Sequence, residues 1–160
     1  MKPRIRFLAA AVLVLTACER TVTSAERPLV GTWRADEHVT DGGTGGATDA
    51  YAQLTFSASG AYRAEYFMYG GYGRPAGELT SYFRVDGAYR VNGTTLELKE
   101  LRETVTDAVY PDQNHTKALS GRWSEAGTVE VSGDHLVRRY YTSPADAPEL
   151  AVMSFTRVTN

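Results

Sequence analysis

The sequence predicts an all-β fold, because two features of antiparallel sheets recur along it. Short stretches alternate apolar and polar residues, as in 61–68, where Tyr62, Tyr66 and Met68 fall on one face. Turn signals such as Asn92-Gly93 separate these stretches at regular intervals. No stretch after the first twenty residues has a clear helical period. The pattern predicts either a β-sandwich or an up-and-down barrel.

Each predicted strand is a run of β-favouring residues bounded by glycine, proline or other turn residues. We expect eight to ten strands, two of which can merge, and a turn at Asp86-Gly87. The longer loops are predicted at 41–49, 69–77 and 105–117. The predicted strands cover residues 29–39, 51–56, 61–68, 79–85, 88–91, 95–101, 118–123, 128–131, 136–141 and 150–158.

The two fixed residues of Gly31-x-Trp33 point to the same side of a strand, because they are two positions apart. Glycine leaves room for a close approach, and tryptophan fills the space beside it. This motif resembles the first strand of lipocalins and lipocalin-like domains. The resemblance implies an antiparallel barrel whose narrow end is closed by Trp33. It also implies an arginine from the last strand lying over the indole, and Arg157 is the basic residue in that strand.

The first 17 residues form a leader. Lys2, Arg4 and Arg6 precede an apolar run that is too short to span a bilayer, which needs roughly 20 residues. The run ends in Leu15-Thr16-Ala17-Cys18, which resembles the lipobox of bacterial lipoproteins. In that family the cysteine receives a diacylglyceryl thioether, the leader is cut before it, and the new N-terminus is acylated. The resemblance therefore implies an envelope protein held on a membrane through Cys18. Glu19 is not the aspartate associated with inner-membrane retention, which favours the outer membrane if the cell is Gram-negative.

We therefore divide the chain into a signal peptide at 1–17, a lipidated flexible tether at 18–28 and a barrel domain at 29–160. Without the three basic residues of the leader, 17 basic residues become 14 against 19 acidic ones, a net charge of −5. This balance, with no basic block, argues against nucleic acid as a partner.

The sequence gives no positive sign of catalysis or of a cofactor. The carboxylates are dispersed, and no nucleophile elbow is present. Asp112, Asn114 and His115 share one loop and could bind a cation, but a polar turn that ends a strand is the simpler interpretation. We therefore expect neither a metal nor a cofactor, and no enzymatic activity.

Aromatic residues suggest a cavity, because a barrel of about eight strands is either filled by side chains or holds one small ligand. Rings with a polar tip suit a pocket that is partly apolar. The alternative is that they fill the interior and leave no space. The candidate ligand-binding residues are Tyr62, Tyr66, Met68, Tyr82, Tyr89 and Tyr140, with Tyr69 and Tyr72 at the rim.

Arg138 and Arg139 are neighbours in one predicted strand, so one of them points inward. An inward arginine needs a carboxylate partner or an anionic ligand. Arg138 shares the face of Tyr140 and is the candidate ligand-binding arginine, with Glu65, Glu97 and Glu100 as possible partners.

Two functions remain open. The first is non-catalytic binding of a small, partly apolar ligand in the barrel. The second is an interaction module, an inhibitor or envelope assembly accessory, that contacts an unknown protein through loops 42–46 and 69–77.

Overall fold

The computed structural model describes residues 22–40, 47–71, 73–142 and 148–159. These residues form an all-β fold with no α-helix among them. Two short 3-10 helices, Arg27–Leu29 and Pro111–Gln113, flank or connect strands. The strands are β1 (Gly31–Thr40), β2 (Ala47–Phe56), β3 (Ala61–Gly71), β4 (Arg74–Asn92), β5 (Thr95–Asp107), β6 (His115–Ala118), β7 (Trp123–Ser132), β8 (His135–Tyr141) and β9 (Leu150–Arg157).

The nine described strands form one antiparallel sheet that closes in a ring. Most strands pair with the next along the chain, β7 pairs with β5 and not with β6, and β9 returns to pair with β1. The long strand β5 pairs with β7 through its first half and with β6 through its second half. The ring is therefore made of eight strands, and β6 extends one wall beside it.

The strand bounds differ from the sequence prediction in several places. The predicted loops at 69–77 and 105–117 are partly strand, since β4 begins at Arg74 and β6 spans His115–Ala118. The predicted turn at Asp86-Gly87 is wrong, because β4 runs through it with a bulge. A Cβ at Gly87 would lie 2.2 Å from the Lys99 carbonyl oxygen, so this glycine permits a close crossing rather than a turn. The predicted strand at 118–123 is also wrong, since β6 ends at Ala118 and β7 begins at Trp123.

The core lies inside the ring and is concentrated toward the end where β1 begins and β9 ends, which we call the closed end. Side chains from alternate positions of most strands meet there, as a half-buried sheet requires. The largest fully buried side chains of the ring strands are Trp33, Phe56, Tyr89, Leu96 and Leu136.

Residues 22–28, expected in the flexible tether, pack against this closed end. Val22 and Leu29 belong to the core cluster, and Glu26 is fully buried. The Glu26 carboxylate accepts hydrogen bonds from the backbone nitrogens of Thr23 (2.7 Å) and Val91 (3.3 Å). A polar stretch can pack in this way when each buried polar group finds a partner.

The closed end is filled by Trp33, whose ring is fully buried. Its indole nitrogen donates to the Leu29 carbonyl at 2.7 Å, and the Arg157 guanidinium carbon lies 4.0 Å from the ring centroid. Arg157 also donates to the carbonyls of Val30 (2.7 Å) and Pro28 (2.9 Å). These contacts join the last strand to the segment that precedes the first.

Gly31 makes room for that arginine. A Cβ at this position would lie 2.5 Å from Arg157 Nη1, and the backbone has φ +137°, a conformation that favours glycine. The residue spacing in Gly31-x-Trp33 therefore has a direct physical cause. The glycine admits the guanidinium, and the indole supports it.

The seam between β1 and β9 is short. The register pairs are Trp33 with Arg157 and Arg34 with Thr156, and the Val158 nitrogen donates to the Thr32 carbonyl at 2.8 Å. Within the described residues, β9 has no register partner on β1 from Leu150 to Phe155, although β8 pairs with it along this length. The ring is thus closed at one end and the two strands part toward the other.

Amide hydrogen exchange tests this seam. The Arg157 nitrogen bonds to Asp134 on the β8 side and the Val158 nitrogen bonds to Thr32 on the β1 side. Because amides alternate along a strand, those of Ser154 and Val152 point toward β1, where they have no ladder partner. We expect slow exchange at Val158 and exchange at least about tenfold faster at Ser154 and Val152. Equal protection at all three positions would contradict a seam that parts.

Candidate functional site

The aromatic residues predicted to line a cavity are distributed over three environments. Tyr62 and Tyr89 lie in the core near the closed end. Tyr89 packs edge-on against Phe56 with ring centroids 4.9 Å apart, and its hydroxyl donates to the Ser57 carbonyl at 3.0 Å. These two rings fill the interior, which is the role that the alternative interpretation assigned to them.

Tyr66 and Met68 share the inner face of β3 and are half-buried. Tyr66 is in register with Ala52 and with Phe83, and Met68 is in register with Ala50. They lie toward the end away from Trp33, on the opposite wall from Tyr140. The structure does not bring them into the pocket described below.

Tyr82 lies on the outer face of the sheet, so the sequence analysis misplaced it. It is in register with Phe67, with ring centroids 4.9 Å apart, and its hydroxyl donates to Glu65 at 2.8 Å. Partial burial, followed by that hydrogen bond, raises the pKa of Tyr82. Side chains alternate between the two faces of a strand, and Val85, three residues after Tyr82, faces the core. Tyr82 therefore faces outward, an alternation that the prediction from residue type did not take into account.

Tyr82 belongs to a stack of side chains that crosses the outer face. Tyr51 lies 4.4 Å from Phe67 between ring centroids, and the Arg34 guanidinium lies 3.9 Å from the Tyr51 centroid. Burial and the neighbouring Tyr69 hydroxyl raise the pKa of Tyr51 to about 12. Tyr69, predicted at a cavity rim, is thus also part of this outer surface, while Tyr72 lies outside the described residues.

A depression of about 600 Å³ borders this stack and is lined by Arg34, Asp36, Tyr51 and Tyr69 among others. Arg34 is bonded to Asp36 at 2.7 Å and lies over Tyr51, so its charge is already matched. We therefore do not regard this depression as the leading candidate site.

One of the two loops predicted for protein contacts differs from expectation, and nothing tests the other. Loop 42–46 lies outside the described residues. The segment 69–77 is largely strand, since β3 continues to Gly71 and β4 begins at Arg74. Among the described residues, the most exposed large apolar side chains lie on the outer face of β8 and β9, at Tyr141, Leu150 and Val152.

A pocket of about 330 Å³ opens where β7 and β8 part. Their register pairing ends at Thr128 and Arg139, whereas β7 continues to Trp123 beside β5. Gly127 lies at the point of divergence with φ +100°, and a Cβ there would meet the Arg139 carbonyl oxygen at 2.0 Å. The principal lining residues are Leu98, Glu100, Ser124, Ala126, Arg138 and Tyr140.

Arg138 and Tyr140 are the sequence-predicted residues that meet in this pocket. The Arg138 guanidinium carbon lies 4.5 Å from the Tyr140 ring centroid, and its Nε donates to the Ala126 carbonyl at 3.1 Å. Arg139 points to the other face and pairs with Glu130 at 3.1 Å. The alternation expected for these two arginines is therefore present.

The three proposed carboxylate partners of Arg138 are engaged elsewhere. Glu65 accepts from Tyr82, Glu97 pairs with Arg90, and Glu100 accepts from the Tyr62 hydroxyl at 3.5 Å. No carboxylate of the described residues lies within 4.0 Å of the Arg138 guanidinium. Burial lowers the pKa of Arg138, opposed by the nearby Tyr140, Tyr62 and Glu100. Burial and the Glu100 charge raise the pKa of Tyr62.

Sequence reasoning missed Leu98, Ser124 and Ala126, which complete the wall. Their participation depends on where β7 leaves β8, and that point is set by register. Gly127 was the available signal, but a glycine in a sequence does not reveal that its backbone has a positive φ or that two strands part there.

The side chains of Asn114 and His115, which were considered as possible cation ligands, interact with nearby groups of the protein. The Asn114 side-chain oxygen accepts from the Asp107 nitrogen at 2.5 Å, and His115 lies 3.0 Å from Glu103. Hydrogen bonding to Glu103 is the main cause that raises the pKa of His115. Among the described residues no group of three or more histidine, cysteine, aspartate or glutamate side chains could hold a metal ion.

Comparison of the chain with protein-family models, curated proteins and solved structures finds no match. In the part of the chain that the structure describes, no helix has the length and apolar character needed to cross a bilayer.

Proposed function

We propose that this chain is a lipid-anchored lipoprotein of the bacterial cell envelope with a lipocalin-like barrel, and that it binds a small, partly apolar molecule without catalysis. The observation that carries the binding proposal is the pocket between β7 and β8. Its volume of about 330 Å³ falls at the small end of the range for ligand sites. It combines the apolar Leu98 and Ala126 with the polar ends of Arg138 and Ser124, as a partly apolar ligand requires.

The lipocalin-like assignment is supported by the closed end. A first-strand tryptophan covered by a last-strand arginine is what the resemblance implied, and Trp33 and Arg157 are in contact. The closing of an antiparallel meander into a ring supports it further.

The anchor proposal rests on Cys18, which lies outside the described residues. Val22 packs in the core near the closed end, and four residues span at most about 14 Å when fully extended. A lipid on Cys18 would therefore hold the closed end near the membrane surface.

Cys18→Ser tests the anchor. We expect the wild-type chain to sediment with membranes and to partition into detergent, and the variant to be released, because two or more acyl chains are needed for stable attachment. Ser24→Ala, in the same lead-in segment, is the control and should remain attached. Membrane association that survives Cys18→Ser would refute the anchor. Density-gradient separation of the two membranes then tests the outer-membrane assignment.

Filling the pocket tests ligand binding. Native mass spectrometry of the detergent-extracted full chain should detect a bound small molecule, and Ala126→Trp should remove it because the indole occupies the pocket. Ser132→Trp, on the same strand at an exposed position, should retain the molecule. Circular dichroism and thermal unfolding establish that both variants fold.

If the wild-type chain carries no small molecule, or if Ala126→Trp retains it, the pocket is not the binding site. A stoichiometric protein partner recovered in place of a small molecule would favour the interaction module. Its contact would then include the exposed strip of Tyr141, Leu150 and Val152.

A further inference from the structure

The Arg138 guanidinium is partly withdrawn from water without a paired carboxylate. Burying a charged group is costly unless it is paired, and arginine stays protonated in proteins instead of neutralising. Within the described residues, the Arg138 Nε donates a hydrogen bond to the Ala126 carbonyl oxygen at 3.1 Å. A neutral carbonyl compensates only part of the lost hydration.

Glu100 does not supply the missing counter-charge. It acts on Arg138 electrostatically but lies beyond 4.0 Å, and it is exposed, so water screens its charge. Its recorded hydrogen bond is a long one from Tyr62, at 3.5 Å. Glu125, the other acidic residue of the pocket, is also exposed, so both acids are in contact with solvent.

The geometry leaves the outer part of the guanidinium available. Tyr140 supports it from one side, with 4.5 Å between the guanidinium carbon and the ring centroid, and Nε is bonded to Ala126. A guanidinium has five donors in a planar fork, and its two terminal nitrogens match the two oxygens of a carboxylate. Leu98 and Ala126 contribute apolar surface to the same pocket.

Building on the proposed ligand-binding function, we infer that the ligand is a small monocarboxylic acid with an apolar body, and that Arg138 binds its carboxylate. The apolar body would pack against Leu98, Ala126 and the Tyr140 ring. The exposed acids would disfavour ligands carrying more than one negative charge.

Three probes of similar size distinguish a site that binds a carboxylate from a site that binds any small, partly apolar molecule. Phenylacetate, phenylacetamide and phenethylamine carry a negative, a neutral and a positive group on the same aryl body. Titration calorimetry on the detergent-solubilised full chain, with a detergent-only blank, should give phenylacetate at least about tenfold tighter binding than the other two. That ratio corresponds to about 1.4 kcal/mol.

The neighbouring arginines provide a matched pair of variants. Arg138→Gln should weaken phenylacetate binding at least about tenfold, and Arg138→Lys, which keeps the charge without the fork, should give an intermediate loss. Arg139→Gln changes the adjacent, outward arginine and should leave binding unchanged. Thermal unfolding of each variant establishes that the ring is intact.

Equal binding of the three probes, or equal losses in the Arg138→Gln and Arg139→Gln variants, would overturn the carboxylate inference and leave the pocket proposal standing. Failure of all three probes to bind would also overturn it. The native mass measurement with Ala126→Trp then decides the broader proposal separately, because it does not depend on the charge of the ligand.

Discussion

The clamp that Arg157 forms over Trp33 holds the ring closed. One guanidinium makes two hydrogen bonds to backbone carbonyls of the lead-in segment and covers the indole. Hydrogen bonds from charged donors contribute about 1.5–3 kcal/mol each, and a cation over an indole adds roughly 0.5–2 kcal/mol. Since β1 and β9 share only two register pairs, this side chain provides a large share of what joins the first and last strands.

The location of the clamp explains why the two ends of the ring differ. At the closed end the core is dense and the lead-in segment packs over it through Val22, Glu26 and Leu29. Toward the other end, the residues of β9 before Thr156 have no register partner on β1. The residues of β8 after Arg139 likewise have none on β7. Among the described residues, the end of the β8–β9 hairpin at Tyr141 and Leu150 therefore pairs with neither β7 nor β1. The candidate pocket lies at one of these two divergences, so rigid closure at one end coexists with access at the other.

Local chemistry was sufficient to predict part of this molecule. Gly31-x-Trp33 and the isolated basic residue of the last strand pointed to the contact between Trp33 and Arg157. The parity of β8 placed one of two adjacent arginines inward. The inference about the arginines needs only the period-2 geometry of a strand, whereas the contact between Trp33 and Arg157 was implied by the resemblance of the motif to lipocalin first strands.

The remaining features depend on contacts between distant residues. The continuity of β4 through Gly87 depends on the close approach of Lys99, which no local pattern indicates. The outward direction of Tyr82 follows from the register with β3. The packing of a polar lead-in depends on Val91, 65 residues away from Glu26. Such information is carried by register and long-range pairing, and a single sequence does not display it.

The free energy of unfolding of Arg157→Met tests the clamp most directly, because methionine retains an apolar stem but removes the cation and its donors. Urea unfolding should show a loss of about 3.5 kcal/mol or more, taking the two hydrogen bonds and the indole contact together. Arg63→Met removes an exposed arginine that pairs with Asp86 and should cost less than about 1 kcal/mol. If the two variants lose the same small amount of stability, the ring does not depend on Arg157 and the account is wrong.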